Sequence, residues 1–356
     1  LCASCYTNCP NDVNVPELVL AARSESVSKD GQPLLASFIY NKILTSNKLL
    51  SFLAKTADRF KGIVLKKSPF ENGLLSRFSL PVVGERLVPP LAKTFFMEKK
   101  EVKALSGVEK KNGKPRVGFF SGCGVNFLMP NVGDATIDVL KRVGAEPIVP
   151  ASQGCCGMPA LSGGERDTAK RLALKNLEAF EAQELDYITT SCATCSHALK
   201  SVFRDLLSSD GPELKERVES FSAKVRDITE LLRNELSYDL KGKDTGETVT
   251  WHDPCHLSRY QGIREEPREL IDISGHELKG MKNPCKCCGL GGGLTFTNYE
   301  LSREISRKKA ESMISSGADV VVTACPGCIV QLRDSLYQFG EEGKEPPKVA
   351  HIVELL

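Results

Sequence analysis

The feature that most restricts this chain is a cysteine pattern written twice. Cys123, the adjacent pair Cys155 and Cys156, and then Cys192 and Cys195 form one set of five. Cys255, Cys287 and Cys288 follow the first three at an offset of 132 residues, and Cys325 and Cys328 follow the last two at an offset of 133. One inserted residue therefore separates two copies of a single unit. The flanking segments repeat as well: "RVGFFSGC" is matched by "TVTWHDPC", "DYITTSCATC" by "DVVVTACPGC", and "KVRDITELL" by "KVAHIVELL". Such a chain folds one unit twice, and each unit has to gather five thiols.

The pattern between the cysteines says what that unit is. In the first copy, 117–121 reads as a short apolar strand, 131–142 as a helix and 146–149 as a strand. Residues 165–182 read as a long charged helix with apolar spacing, 187–190 as a strand, and a further helix follows Cys195. Strands alternating with helices predict an α/β fold with a mainly parallel sheet, here as two tandem repeated units. Ligands of such sheets lie beyond the carboxyl ends of the strands. Cys123, Cys192, Cys255 and Cys325 each follow a strand closely, so each copy can bring its thiols to one end of its own sheet.

Two chemistries compete for the 14 cysteines. A disulfide scaffold belongs to small secreted domains, whereas this chain has 356 residues and clusters its cysteines as CC and C-x-x-C. Adjacent cysteines also close a strained disulfide. Metal ligation is the better reading. A structural zinc takes four ligands, and so does a cubane [4Fe–4S] cluster, so five thiols leave one spare or imply a broader centre. Gly154, Gly157, Gly289 and Gly291 around the pairs would let the backbone approach a bulky group. A net charge of +2 points to no nucleic acid or anionic membrane surface, and no apolar run is long enough for a transmembrane segment.

The spacing C-x31-CC-x35-C-x2-C, repeated with one extra residue, resembles the duplicated cysteine-rich CCG domain. That domain occurs in the catalytic subunit of heterodisulfide reductase and in the iron–sulfur subunits of glycolate oxidase, of lactate-utilisation dehydrogenases and of anaerobic glycerol-3-phosphate dehydrogenase. "HDPCHLSRYQGIREEPREL", "CCGLGGG" and "GADVVVTACPGCIVQL" are closest to the glycolate and lactate branch. The resemblance covers residues 115 to 356. It implies that Cys123, Cys155, Cys156, Cys192 and Cys195, and again Cys255, Cys287, Cys288, Cys325 and Cys328, hold noncubane [4Fe–4S] clusters, with zinc as the alternative in one motif. It further implies an electron-transfer subunit served by a partner FAD-dependent dehydrogenase that oxidises a 2-hydroxy acid. The acceptor would be a quinone, through a membrane quinone-reducing subunit, or another carrier. The location would be cytoplasmic, peripheral on the inner membrane face. The other function it implies is heterodisulfide-reductase-like: reduction of a disulfide at a noncubane cluster.

The first residues carry a second signal. Cys2, Cys5 and Cys9, followed by Pro10, spell C-x2-C-x3-C-P, the last three cysteines of a bacterial ferredoxin run. The first ligand of that run would fall two residues before Leu1. The expected organisation is thus the end of a two-cluster 4Fe-4S ferredoxin domain over 1–22, a helical linker region over 23–113, and CCG domains over 114–240 and 246–356. Helices are predicted at 15–24 and 34–53. "FSLPVVGERLVPPLAKTFF" reads as an irregular linker packed on the domain. Cys285 has no counterpart in the first copy, where Gln153 stands, and reads as a spare thiol. His252 and His256 flank Cys255 and read as structural, with donation to a cluster sulfur as the alternative. Asp253 reads as a turn former. No P-loop or flavin fingerprint is present, so no residue of this chain is assigned a hydride-transfer role.

Overall fold

The computed structural model describes all residues except 71–72, 79–83, 108–112, 240, 243–244 and 341–342. Part of the proline-containing linker lies outside the described residues. Ahead of the duplication, helices span Val15–Asp30, Leu34–Phe38 and Asn47–Val64, and a small antiparallel hairpin joins β1 (Leu65–Lys67) to β2 (Leu74–Ser76). The helix predicted over 34–53 is two helices. After Leu34–Phe38 and one wide turn the chain stops, because the Ser46 hydroxyl accepts from the Leu49 backbone N–H and starts a new helix.

The first copy contains β3 (Arg116–Phe119), β4 (Glu146–Ile148), β5 (Tyr187–Thr190) and β6 (Val225–Asp227). All pairings are parallel, in the order β4-β3-β5-β6. The second copy contains β7 (Val249–Trp251), β8 (Leu278–Lys279), β9 (Val320–Thr323) and β10 (Lys348–His351), in the order β10-β9-β7-β8. Read from the second strand of each copy, the two orders are the same. The echo between "KVRDITELL" and "KVAHIVELL" is therefore a fourth strand in each sheet. Both fourth strands end in a capping box, Asp227 with Glu230 and His351 with Glu354.

The connecting helices form for local reasons. Pro130–Arg142 begins on proline and ends on Lys141 and Arg142, and it buries Val132, Thr136, Val139 and Leu140 as one stripe against the sheet. Arg166–Glu181 does the same with Ala169, Leu172, Ala173 and Phe180. One apolar cluster runs from Phe119 and Val125 of the first copy into Trp251 and Val321 of the second. Phe95 and Phe96 of the linker are buried, and the Phe96 ring meets Phe119 edge-on at 5.7 Å. Gly133 makes room for this ring: a Cβ there would lie 2.5 Å from it.

Candidate metal centres

The strand order reverses at β3 in one sheet and at β7 in the other, and the cysteine loops leave the carboxyl ends of the strands at those points. Cys123 lies in the short helix after β3. Cys155 and Cys156 lie in the loop after β4, which is clamped from the facing helix. Asn176 donates to the Cys155 carbonyl at 2.8 Å and accepts from the Gly154 N–H at 2.8 Å. In the second copy Ser306 and Ser302 donate to the carbonyls of Cys288 and Gly289, each at 3.1 Å. Gly157 and Gly289 close the paired cysteines with φ of +85° and +107°, where a Cβ would press on Ala169 or on Ser302 and Ser306. These two glycines are needed for backbone shape and helix packing. Gly291 has nothing within contact distance of a Cβ, and Gly154 faces Asn47 and Lys175.

Cys192 and Cys325 occupy equivalent N-cap positions, each in extended conformation before a helix. The ends of the two sheets face one another across this point. The Ala193 N–H donates to the Ala324 carbonyl at 3.0 Å. Thr194 Oγ1 lies 3.1 Å from His256 Nδ1, and the rings of His197, His256 and Tyr260 pack together at 4.4–5.3 Å.

The result is one series of thiols. Cys123 meets Cys155, which meets Cys156, then Cys195 and Cys192. Cys192 meets Cys325 of the other copy, and the series continues through Cys328, Cys288 and Cys287 to Cys2. Cys288 Sγ and Cys328 Sγ are 3.9 Å apart. Cys255 lies beside this series, close enough to feel Cys287 and Cys288. Cys5 is exposed, Cys9 half-buried and Cys285 exposed. The Cys2 backbone is held by Arg259, whose guanidinium donates to its carbonyl at 3.0 Å.

The electrostatics of the thiols differ along the series. The hydrogen bond to Cys155 and then burial push Cys123 well above the ordinary thiol range, and burial with Cys287 does so for Cys255. Hydrogen bonds from Cys192 and Cys328 pull Cys325 well below it. Deprotonating several neighbouring buried thiols at once requires a cation. All 14 cysteines are free thiols, and a donor set of sulfur selects zinc or iron–sulfur rather than magnesium or calcium. Two thiolates on one tetrahedral metal at about 2.3 Å lie about 3.8 Å apart, close to the separation of Cys288 and Cys328. The residues fit such a group.

His252 is buried and stands against this set. Asp253 is a buried ion-pair partner of Arg268 at 2.8 Å and accepts from the Trp251 indole at 2.7 Å, which is a larger role than turn formation. Beside the first copy, a cavity of about 520 Å³ borders Cys123 and Cys155, with Asn47, Leu50 and Ser51 of the preceding helix and Lys103 on its other walls. The contact of Cys192 with Cys325, the contact of Cys2 with Cys287, and the ring packing at the seam carry no local sequence signal.

Two facing sulfur-rich sites at the strand ends of tandem parallel sheets define a class of α/β metal-binding protein. Comparison makes the class specific: this chain belongs to the family of the CCG cysteine-rich domain, which matches residues 117–200 and again 249–333. An uncharacterized iron–sulfur protein of Methanocaldococcus jannaschii is 33% identical over 378 residues, covering all of this chain and 71% of that protein. Lactate utilization protein A of Bacillus cytotoxicus is 31% identical over 245 residues, covering 68% of this chain and 98% of that protein. A fumarate reductase (CoM/CoB) subunit of Methanothermobacter marburgensis is 38% identical over 247 residues, covering 69% of this chain, and the chain spans 47% of its length. No helix among the described residues is long and apolar enough to cross a membrane.

Proposed function

We propose that the chain is an iron–sulfur electron-transfer subunit of an oxidoreductase complex. It passes electrons from a flavoprotein 2-hydroxy-acid dehydrogenase to a quinone or another carrier. The observation that carries this reading is the unbroken series of thiols from Cys2 to Cys123, which crosses between the copies at Cys192 and Cys325. A protein that needed metal only for folding would gain nothing from joining its two sites. Bound at these thiols, iron–sulfur clusters would supply one-electron relay.

In this reading Cys2, Cys5 and Cys9 belong to the end of a two-cluster ferredoxin domain, and the contact of Cys2 with Cys287 makes the second copy the entry side. Cys255, Cys287, Cys288, Cys325 and Cys328 hold the second centre. Cys123, Cys155, Cys156, Cys192 and Cys195 hold the first, noncubane in type, with zinc in one motif as the variant. The relative named for lactate utilization supports a 2-hydroxy-acid donor. Hydride removal is assigned to a partner, since the chemistry of that step belongs to a flavin or nicotinamide and the residues of this chain are arranged for metal. In this reading the chain works in the cytoplasm, peripheral on the inner membrane face where the acceptor is a quinone.

The cavity favours a second reading. It ends at Cys123 and Cys155 and is large enough for a small thiol or disulfide, and one relative carries CoM and CoB in its name. Disulfide reduction at the first centre is the enzymatic alternative. Anaerobically purified protein should contain about four iron and four sulfide per occupied centre. After chemical reduction, its visible absorption should be bleached, and a quinone analogue should restore the colour faster than an organic disulfide. The reverse order would favour the second reading. Stoichiometric zinc in both motifs without sulfide would end both.

A further inference from the structure

The two centres are built from equivalent sets of five cysteines, but their walls differ at one position. The repeat aligns His252 of "TVTWHDPC" with Phe120 of "RVGFFSGC". Phe120 is fully buried among apolar side chains beside Gly122, and its ring lies tilted against that of Phe180 at 6.0 Å. His252 is 1% exposed, so its imidazole is equally enclosed. Its Nδ1 lies 3.1 Å from the Pro284 carbonyl oxygen. A carbonyl only accepts, so Nδ1 carries the proton and Nε2 presents a lone pair. Nε2 has no hydrogen-bond partner among the described residues.

A ring nitrogen of His252 and the Sγ atoms of Cys288 and Cys328 all lie within 4.8 Å of one another. Since Nδ1 is occupied by Pro284, Nε2 is the nitrogen free to act there. A histidine that ligates a metal through one nitrogen characteristically donates the other N–H to a backbone carbonyl or a carboxylate. His252 has that arrangement. His256, three residues past Asp253, does not: its Nδ1 faces Thr194 and its ring belongs to the seam between the copies. A purely structural His252 would leave a buried acceptor unpaired on a ring that reaches two sulfurs, an arrangement that folded proteins avoid.

We propose that His252 Nε2 ligates the metal held by Cys288 and Cys328, so that the second centre has mixed nitrogen and sulfur ligation while the first is all sulfur. The inference rests on the reading that each copy holds a metal.

The test uses the full chain, purified anaerobically, with metal analysed first. If the second motif holds iron, pulsed electron paramagnetic resonance of the reduced protein should show a strongly coupled nitrogen. It should change with 15N-histidine labelling and vanish in His252→Phe, which installs the residue of the first copy. If it holds zinc, X-ray absorption at the zinc edge should show one nitrogen beside sulfur, lost in the same variant. His252→Gln replaces His252→Phe should the latter not fold. Metal present without nitrogen ligation, or a nitrogen signal that survives the substitution, overturns this inference alone. Absence of any metal from the second motif of the unaltered protein overturns the metal reading beneath it.

Discussion

Cys285 lies two residues before the Cys287–Cys288 pair, yet its side chain is exposed and its carbonyl accepts from Arg259 at 2.7 Å. Cys288 is buried and touches Cys328. Cys285→Ser should leave the metal content unchanged, whereas Cys288→Ser should lower it. Equal loss in the two variants, measured by metal analysis, would make Cys285 a ligand. Gly289 gives a second expectation at this scale. With φ of +107° and a Cβ position 2.8 Å from Ser306 Oγ, Gly289→Ala should cost about 1–3 kcal/mol. The damage should fall on the second centre first, seen as metal loss with the first centre retained.

Among the elements, the turn after β7 decides where Cys255 goes. Asp253 is fixed there by the Trp251 indole and by two contacts from Arg268 in the helix Glu265–Ile273, at 2.8 and 3.0 Å. Removing Arg268 would leave a buried carboxylate whose remaining side-chain hydrogen bond among the described residues is that of the indole. Since Arg268 is itself 27% exposed, water relieves part of the cost. Arg268→Ala should destabilise the protein by about 1–3 kcal/mol, measured by denaturant unfolding. A loss indistinguishable from zero would mean that the ion pair does not hold this turn. The corresponding turn in the first copy uses Gln153 instead, which accepts from the Ser121 N–H at 2.8 Å and donates to the Phe119 carbonyl at 3.0 Å.

At the scale of the whole molecule, one apolar cluster and one series of thiols both cross the boundary between the copies. Loss of metal should therefore loosen the molecule at its centre, not at its edges. Metal-free protein should melt at a lower temperature than the loaded form in calorimetry. Its thiols should also separate by environment. Cys123 and Cys255 are held above the ordinary thiol range, so near pH 8 they stay protonated and are poor nucleophiles, and alkylation should reach them only as pH rises further. Exposed Cys285 should be alkylated promptly. Mass-spectrometric mapping that found uniform labelling at pH 8 would contradict this arrangement.

The duplicated unit, its alternation of strand and helix, and the ten thiols at strand ends were legible in the chain alone, because each depends on spacing along a short stretch. Residues 187–190 needed only their own apolar pattern to be read as a strand, and Cys192 and Cys195 only their place just beyond it. Ser46 carried a helix-start signal, but the apolar spacing on either side of it concealed the break. Other features were decided by tertiary structure alone. Cys192 and Cys325 are far apart in the chain, and nothing local says that their sheets meet end to end. That follows from burying Phe119 and Trp251 in one shared core and from the Ala193–Ala324 hydrogen bond. The docking of Cys2 against Cys287 depends likewise on Arg259 and Tyr260 catching the first residues of the chain. His252 stood in plain view as the mismatch with Phe120, but only folding could bring its ring to Cys288 and Cys328. Spacing fixes which groups are available, and long-range packing fixes which of them share a site.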